Sequence, residues 1–240
     1  MISVFLPCYN EEKIFKKHVL VVYSILKKLK YDFELVIVND SSNDNTGEIA
    51  DELHKKYHEI KHFYYKNGPS RRENLAESFK KANGDIVIFM DIDLAVDLKD
   101  FKKLVTEIEK GADIVIGNRR AHDSVTKRKI FRKIISFIYH KSLKLYFNSK
   151  INDYQCGFKS FKKEVILNLN KKIGYDYSFK RGWFWDAEML IVAEKLNYKI
   201  KQLPVIWNEG KASTFNIKRE LRMMPYVFLL KFKKYCNGKE

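Results

Sequence analysis

The chain is short of cysteine, of linker-forming tracts and of long apolar runs, and each shortage removes a class of protein. Its three cysteines, Cys8, Cys156 and Cys236, are odd in number, far apart and without metal-ligand spacing. They support neither a disulfide framework nor a zinc site, and they point to a reducing compartment. The 4 prolines and 10 glycines form no linker, repeat or low-complexity segment, so no domain boundary is forced. No stretch reaches the roughly 18 apolar residues of a membrane span. The longest candidate, MMPYVFLLKF, is interrupted by Pro225 and Lys231. The amino-terminal MISVFLPCYNEE lacks a basic region and turns acidic before an apolar signal core is complete, so no secretory signal is expected. Acids are the scarcer charge, 30 Asp and Glu against 46 Lys and Arg, for a formal net charge of +16. That excess suits a polyanionic partner: nucleic acid, anionic lipid headgroups or a phosphorylated substrate. With 240 residues, 45% of them hydrophobic, the chain can bury one substantial core, with a small appendage at most.

What is present alternates short apolar runs with longer amphipathic ones, the pattern of crossover units on a parallel sheet of an α/β protein. Strands are expected at Ile2–Leu6, Phe33–Asn39, Lys61–Tyr65, Ile86–Met90 and Ile114–Gly117. Helices are expected at Glu11–Leu29, Asn45–Lys56, Arg72–Ala82 and Leu98–Glu109. In the second half, Thr126–Phe147 reads as a basic amphipathic helix and NDYQCGFKSF as a loop. RGWFWDAEMLIVAEKL reads as a loop entering a helix, YKIKQLPVIW as a strand, and Phe215–Lys234 as a second basic amphipathic segment. The first, second and fourth strands end in polar clusters, PCYNEE, NDSSND and DID. Ligands collect at the carboxyl ends of strands in open α/β sheets, so these clusters are expected to line one pocket.

The chemistry concentrates there. In IVIFMDIDLAVD an apolar strand runs directly into Asp91 and Asp93, with Asp97 beyond. Hard carboxylate oxygens beside a diphosphate suit Mg²⁺ or Mn²⁺, although two acids in a loop are often merely solvated or capping. Asp40 ends its strand where a carboxylate can accept hydrogen bonds from a base or ribose, while Asp44 and Asn45 suit turn and cap positions. In LPCYNEE, Pro7 stiffens the strand exit; Asn10 and Glu11 face a nucleotide or, equally, cap the following helix.

In this order, LPCYNEE, VNDSSNDNT, ANGDIVIFMDIDL and ADIVIGNRR resemble inverting family 2 glycosyltransferases of the GT-A fold. The later DYQCGFKSFKKEV and RGWFWDAEMLIVAEKL are similar to the subgroup of dolichyl-phosphate mannose and glucose synthases, and the likeness runs to about Ser213. It implies a mostly parallel central sheet flanked by helices in a catalytic domain over 1–214, with an interfacial helical segment at 123–150 and a membrane-surface segment at 215–240. It implies that Pro7, Tyr9, Asn10, Glu11 and Asp40 hold the nucleotide, and that Asp91 and Asp93 bind the metal and orient the donor diphosphate. Arg119, Arg132 and Ser136 would grip an acceptor phosphate, as planar guanidinium groups do well. Trp185, Asp186 and Glu188 would belong to an active-site loop near the sugar, with helix capping and pairing to Arg181 an equal alternative for the two acids. Two departures stand out. Ala95 occupies a position where many relatives have Gln, leaving water or Asp97 to complete the metal shell. NGPSRRENLAES replaces a GKG-type loop, with Arg71 the stand-in for its Lys. Lys159 is a further candidate phosphate contact, Trp183 and Trp185 are candidate sugar-packing aromatics or core, and His122 and His140 are expected at the surface.

The expected reaction moves a sugar from a UDP- or GDP-linked donor to a polyprenyl or dolichyl phosphate. The basic helices would lie on an anionic membrane at its cytoplasmic face, as a peripheral or monotopic protein, with a small membrane-spanning subunit as a candidate partner. Two rivals are a glycosyltransferase acting on a glycan and a nucleic-acid-binding protein. Nucleic acid is not expected as a partner, because acids at three strand tips would face a phosphate backbone and no known nucleic-acid module is present.

Overall fold

The structure, a computed structural model, describes residues 1–69, 72–127, 130–176, 181–208 and 217–232; the side chains of 127, 130–134 and 217–222 also fall outside the description. The amino-terminal half alternates β1 (Ile2–Cys8), α1 (Glu12–Lys28), β2 (Phe33–Asn39), α2 (Thr46–Lys56), β3 (Ile60–Tyr64), α3 (Glu73–Ser78), β4 (Ile86–Met90), α4 (Phe101–Glu109) and β5 (Ile114–Asn118). It continues through β6 (Val125–Lys127), α5 (Ile130–Phe147), β7 (Phe158–Lys162), α6 (Lys163–Ile173) and α7 (Trp185–Lys195). β8 (Ile200–Pro204), β9 (Ile206–Asn208) and α8 (Ile217–Leu230) complete the order.

Seven strands form one sheet in the order β3-β2-β1-β4-β7-β5-β8. All neighbouring pairs are parallel except those of β7, which lies antiparallel between β4 and β5. This is the mostly parallel α/β sheet flanked by helices that the crossover pattern predicts. Central strands are near-continuous apolar runs because helices cover both faces. Phe5, Val36, Phe89 and Ile116 face one buried cluster with α6 and α7, whereas Val4, Ile37, Ile88 and Val115 face a second with α1 and α4.

Two stretches depart from expectation. FKSFK, expected within a loop, is the central strand β7. Its polar residues hide the pattern, and the two that are buried have partners: Ser160 donates to the Leu104 carbonyl, and Lys159 is paired as described below. The helix expected from Thr126 begins at Ile130, because Val125–Lys127 instead pairs parallel with β9. At the other end α8 folds back onto the domain, placing Met223, Val227 and Leu230 in the same buried cluster as Phe184 and Trp185.

Candidate active site

The parallel register puts the tips of β1, β2 and β4 side by side, and each following loop turns through a residue in the left-handed backbone region: Asn10, Ser41 and Leu94 at φ 56, 68 and 51°. Non-glycine residues adopt that region only where surrounding structure enforces it. The loops brace one another. The Asn10 amide donates to Ser42 Oγ at 3.0 Å, and Asn10 Oδ1 accepts from the Asn43 amide at 2.9 Å. Asp44 receives the amides of Thr46 and Glu12, and so is structural. Asp97 accepts the Lys99 amide as a helix cap.

The acids converge. The Glu11 carboxyl titrates above its ordinary range because burial strips part of its hydration and Asp93, Asp44 and Asp91 add repulsion. Asp93 stands at the solvent edge of the cleft, where partial desolvation and then Asp91 raise its carboxyl as well. His18 braces this loop, its Nδ1–H donating to the Ile92 carbonyl oxygen at 2.8 Å. Gly157 is required beneath Asp91, since a Cβ there would lie 1.8 Å from Asp91 Oδ2.

Short helix α3 ties the separate tips together. Its Asn74 side-chain amide donates to Asp40 Oδ1, and Arg72 at its start donates from Nη2 to Asp91 Oδ1 at 2.9 Å. The Arg72 guanidinium is buried between the rings of Phe89 and Trp183 and donates from Nε to Asp186 Oδ2 at 3.1 Å. Asp186 in turn accepts from Lys159 Nζ at 2.7 Å, and Lys159 also donates to the Cys156 carbonyl. Burial works against ionised Asp186, but Lys159 and Arg72 hold its carboxyl below the ordinary range. Arg71, the expected phosphate-loop cation, lies outside the described residues; Arg72 is the neighbour that reaches Asp91.

Several expected roles change. Trp185 is fully buried in the core beside Phe79 and Phe89, so it does not pack a sugar; its near neighbour Trp183 lies at the site, over Arg72. Glu188 is also fully buried; it takes the alternative the sequence left open, pairing with Arg181 at 3.3 Å, and accepts from Tyr226 of α8 at 2.8 Å. Lys159 has no exposed surface to offer a phosphate. His140 is buried against the Tyr154 ring rather than at the surface, while His122 is exposed.

Arg119 is the largest correction. Its Nε and Nη2 donate to Asp153 at 2.6 and 2.7 Å, its amide donates to the same carboxylate, and its guanidinium lies 4.6 Å from the Trp207 ring centre. Asp153 is fully buried, and the Arg119 charge holds its carboxyl far below the usual range against the pull of burial. A guanidinium so engaged scaffolds the cleft and adds positive potential near Asp91 instead of gripping an acceptor. Arg120, to which the sequence reading gave no role, donates from Nη2 to Ser136 Oγ at 2.6 Å. Arg132 lies one turn before Ser136 on α5, and its side chain is outside the described residues.

The acids at the cleft fit a divalent cation. Asp91 and Asp93 are hard oxygen donors whose crowding with Glu11 a cation would relieve, and such ions take remaining ligands from diphosphate and water. Among the described residues no group of three or more His, Cys, Asp or Glu is arranged to hold a metal alone.

The glycosyl transferase family 2 model matches residues 3–169. The chain belongs to that family. This family 2 glycosyltransferase is 32% identical over 237 residues to dolichyl-phosphate beta-glucosyltransferase ALG5A of Trichomonas vaginalis, covering 92% of this chain and 70% of that protein. Glycosyltransferase AglD of Haloferax volcanii is 31% identical over 223 residues, covering 92% of this chain but only 35% of the relative, so the chain spans about a third of AglD. In three dimensions it resembles glucosyl-3-phosphoglycerate synthase from Mycobacterium tuberculosis, in complex with Mn²⁺ and UDP-glucose, at a TM-score of 0.68 and 17% identity over 99% of this chain and 79% of that one. The glycosyltransferase thus has the GT-A-like fold.

Proposed function

We propose that this glycosyltransferase is an inverting enzyme that transfers a hexose from a UDP- or GDP-sugar to a polyprenyl or dolichyl phosphate at the cytoplasmic face of a membrane. The observation that carries this reading is the position of the Arg120–Ser136 pair. On α5 the residues directly after Ser136, Phe137 and Ile138, are exposed, and Leu145 further along is 74% exposed. Beside them α8 presents Phe228 and Leu229, and Tyr146 of α5 donates to the Phe228 carbonyl. A phosphate-suited Arg–Ser pair therefore borders an apolar face interspersed with Lys141, Lys144 and Lys231, the chemistry of a lipid phosphate at an anionic interface. No described helix is long and apolar enough to cross a membrane. In this reading α5, the 215–240 segment and a small membrane-spanning subunit hold the enzyme at the membrane.

The mechanism asks little of a base, because a phosphate acceptor is already anionic near neutral pH. A divalent cation between Asp91 and Asp93, Mg²⁺ or Mn²⁺, would neutralise the departing nucleoside diphosphate. Asp40, aligned by Asn74, receives the base or ribose; Tyr9 and Asn10, both exposed, border the same end, and Pro7 and Glu11 fix its floor. Arg120, Ser136 and Arg132 hold the incoming phosphate against repulsion from the diphosphate. The relatives named dolichyl-phosphate beta-glucosyltransferase favour glucose as the sugar.

The test is incubation with polyprenyl phosphate, Mn²⁺ and a panel of labelled UDP- and GDP-sugars, scoring label in the organic phase. Transfer from one donor is expected, with Asp93→Asn lowering it by at least about 100-fold. Label passing only to a water-soluble glycan would replace the lipid acceptor with the glycan one.

A further inference from the structure

Beneath the cleft runs a line of alternating charge: Lys159, Asp186, Arg72 and Asp91, each linked to the next at 2.7, 3.1 and 2.9 Å. Lys159, Asp186 and Arg72 are buried, so the line is neither a solvated surface pair nor an accident of flexible side chains. Buried ions are costly unless each is paired, and a partly matched line would be worse than an apolar core. The backbone contributes as well. Arg72 sits at φ 90°, a conformation in which a non-glycine side chain is strained, and it does so at the point where its guanidinium reaches both carboxylates. The register of β7 against β4, Phe89 opposite Lys159, sets Lys159 below the tip of β4, and the Asp91 amide donates to the Gly157 carbonyl at 3.1 Å.

We propose that Arg72, Asp186 and Lys159 are a positioning set for the metal-binding carboxylate of Asp91, a role that rests on the reading of the cleft as a metal–diphosphate site. Arg72 occupies Oδ1 of Asp91 and so selects the oxygen left for a cation. Asp186 holds the other edge of the guanidinium through Nε, which stops Arg72 from turning its whole fork onto Asp91 and displacing the cation. Lys159, tethered to the Cys156 carbonyl, fixes Asp186. Charge and geometry act in the same direction for Asp186: its loss frees Arg72 and also removes a negative charge from the floor of a cation site. Partners that orient a metal ligand from behind commonly change metal affinity by 10–100-fold when removed.

The experiment titrates the full chain, saturated with UDP, with Mn²⁺ and reads free Mn²⁺ by electron paramagnetic resonance, alongside initial rates as a function of Mn²⁺. Asp186→Asn is expected to weaken Mn²⁺ binding by roughly 10-fold or more. Its rate should recover most of the wild-type value at saturating Mn²⁺, a split that loss of fold would not give. Arg72→Lys keeps the buried positive charge but has no fork to bridge two carboxylates, and it is expected to behave in the same way. It decides the question should Asp186→Asn fail to fold by circular dichroism. Wild-type Mn²⁺ affinity in the folded variants, or a rate lost equally at every Mn²⁺ concentration, overturns the proposal. Asp93→Asn separates the two levels of inference. If it still binds Mn²⁺ normally, the metal reading fails and this proposal with it; if it loses Mn²⁺ while Asp186→Asn keeps it, only the positioning role fails.

Discussion

At the scale of single residues, what matters is which carboxylates are neutralised and by what. Asp186 and Asp153 are held below their ordinary pKa by buried cations that outweigh desolvation, whereas Glu11 and Asp93 are raised by partial desolvation and by each other's neighbours. The two groups act on stability with opposite sign. Asp186 and Asp153 contribute stability that is present above their unfolded pKa and lost as pH falls through their lower folded values. Glu11 and Asp93 favour the protonated form when folded, so they withdraw stability as pH rises from their unfolded to their raised folded values. Cation binding needs them ionised. Mn²⁺ should therefore bind the UDP-loaded protein with net proton release at pH values just above 4.5, the ordinary Glu value, and weaken as pH falls through that window. Calorimetry in two buffers of different ionisation enthalpy checks this; uptake of protons, or none exchanged, would contradict it. The acids themselves were legible because hard ligands directly after an apolar strand stand out. Arg72 was not, since SRRE offers two adjacent arginines with nothing in the sequence to single out Arg72. Asp153 carried no local signal either, as its partner Arg119 lies 34 positions away.

At the scale of elements, α3 and β7 do the most to shape the site; a helix was expected over Arg72–Ala82, where α3 forms, whereas β7 was read as loop. α3 is only 6 residues long, yet it holds Asp40 through Asn74, Asp91 through Arg72 and Arg181 through Glu73, whose carboxylate accepts from Arg181 Nη2 at 2.6 Å. The helix expected there was longer, but which of its side chains meet the strand tips had no signal in the sequence. β7 is a strand whose buried stretch includes Lys159 and Ser160, which composition assigns to a loop until the partners of both are seen. No element was assigned to Lys163–Ile173, which forms α6. The long helices α1, α2 and α4 follow their apolar spacing and begin and end within a few residues of expectation. The basic helices carry the interfacial part of the account. Leu145 on α5 and Leu229 on α8, 74% and 65% exposed, have no role in the buried core. Replacing both by Asp removes two anchors worth about 1.5–3 kcal/mol each, so flotation with anionic vesicles should weaken by at least about 10-fold. Unchanged flotation would remove α5 and α8 from the membrane-binding surface.

At the scale of the molecule, a parallel sheet gathers residues that are distant in sequence because successive strands end at the same edge. Alternating apolar and amphipathic runs made this architecture readable in outline. The insertion of β7 antiparallel into the sheet depended on contacts that no local pattern contains, and it brings Gly157 and Lys159 under Asp91. Among the cations, Arg72 and Lys159 are buried and organise the acids of the cleft, while Lys141, Lys144 and Lys231 are exposed around an apolar face. The central claim is that the strand tips form one site for a cation and a nucleoside diphosphate. Calorimetric binding of UDP and of GDP, with Mn²⁺ and in EDTA, to the wild-type chain and to Asp93→Asn tests it most directly. The account predicts tight binding of one nucleotide that requires both Mn²⁺ and Asp93; equal binding in EDTA, or binding undiminished in Asp93→Asn, would contradict it.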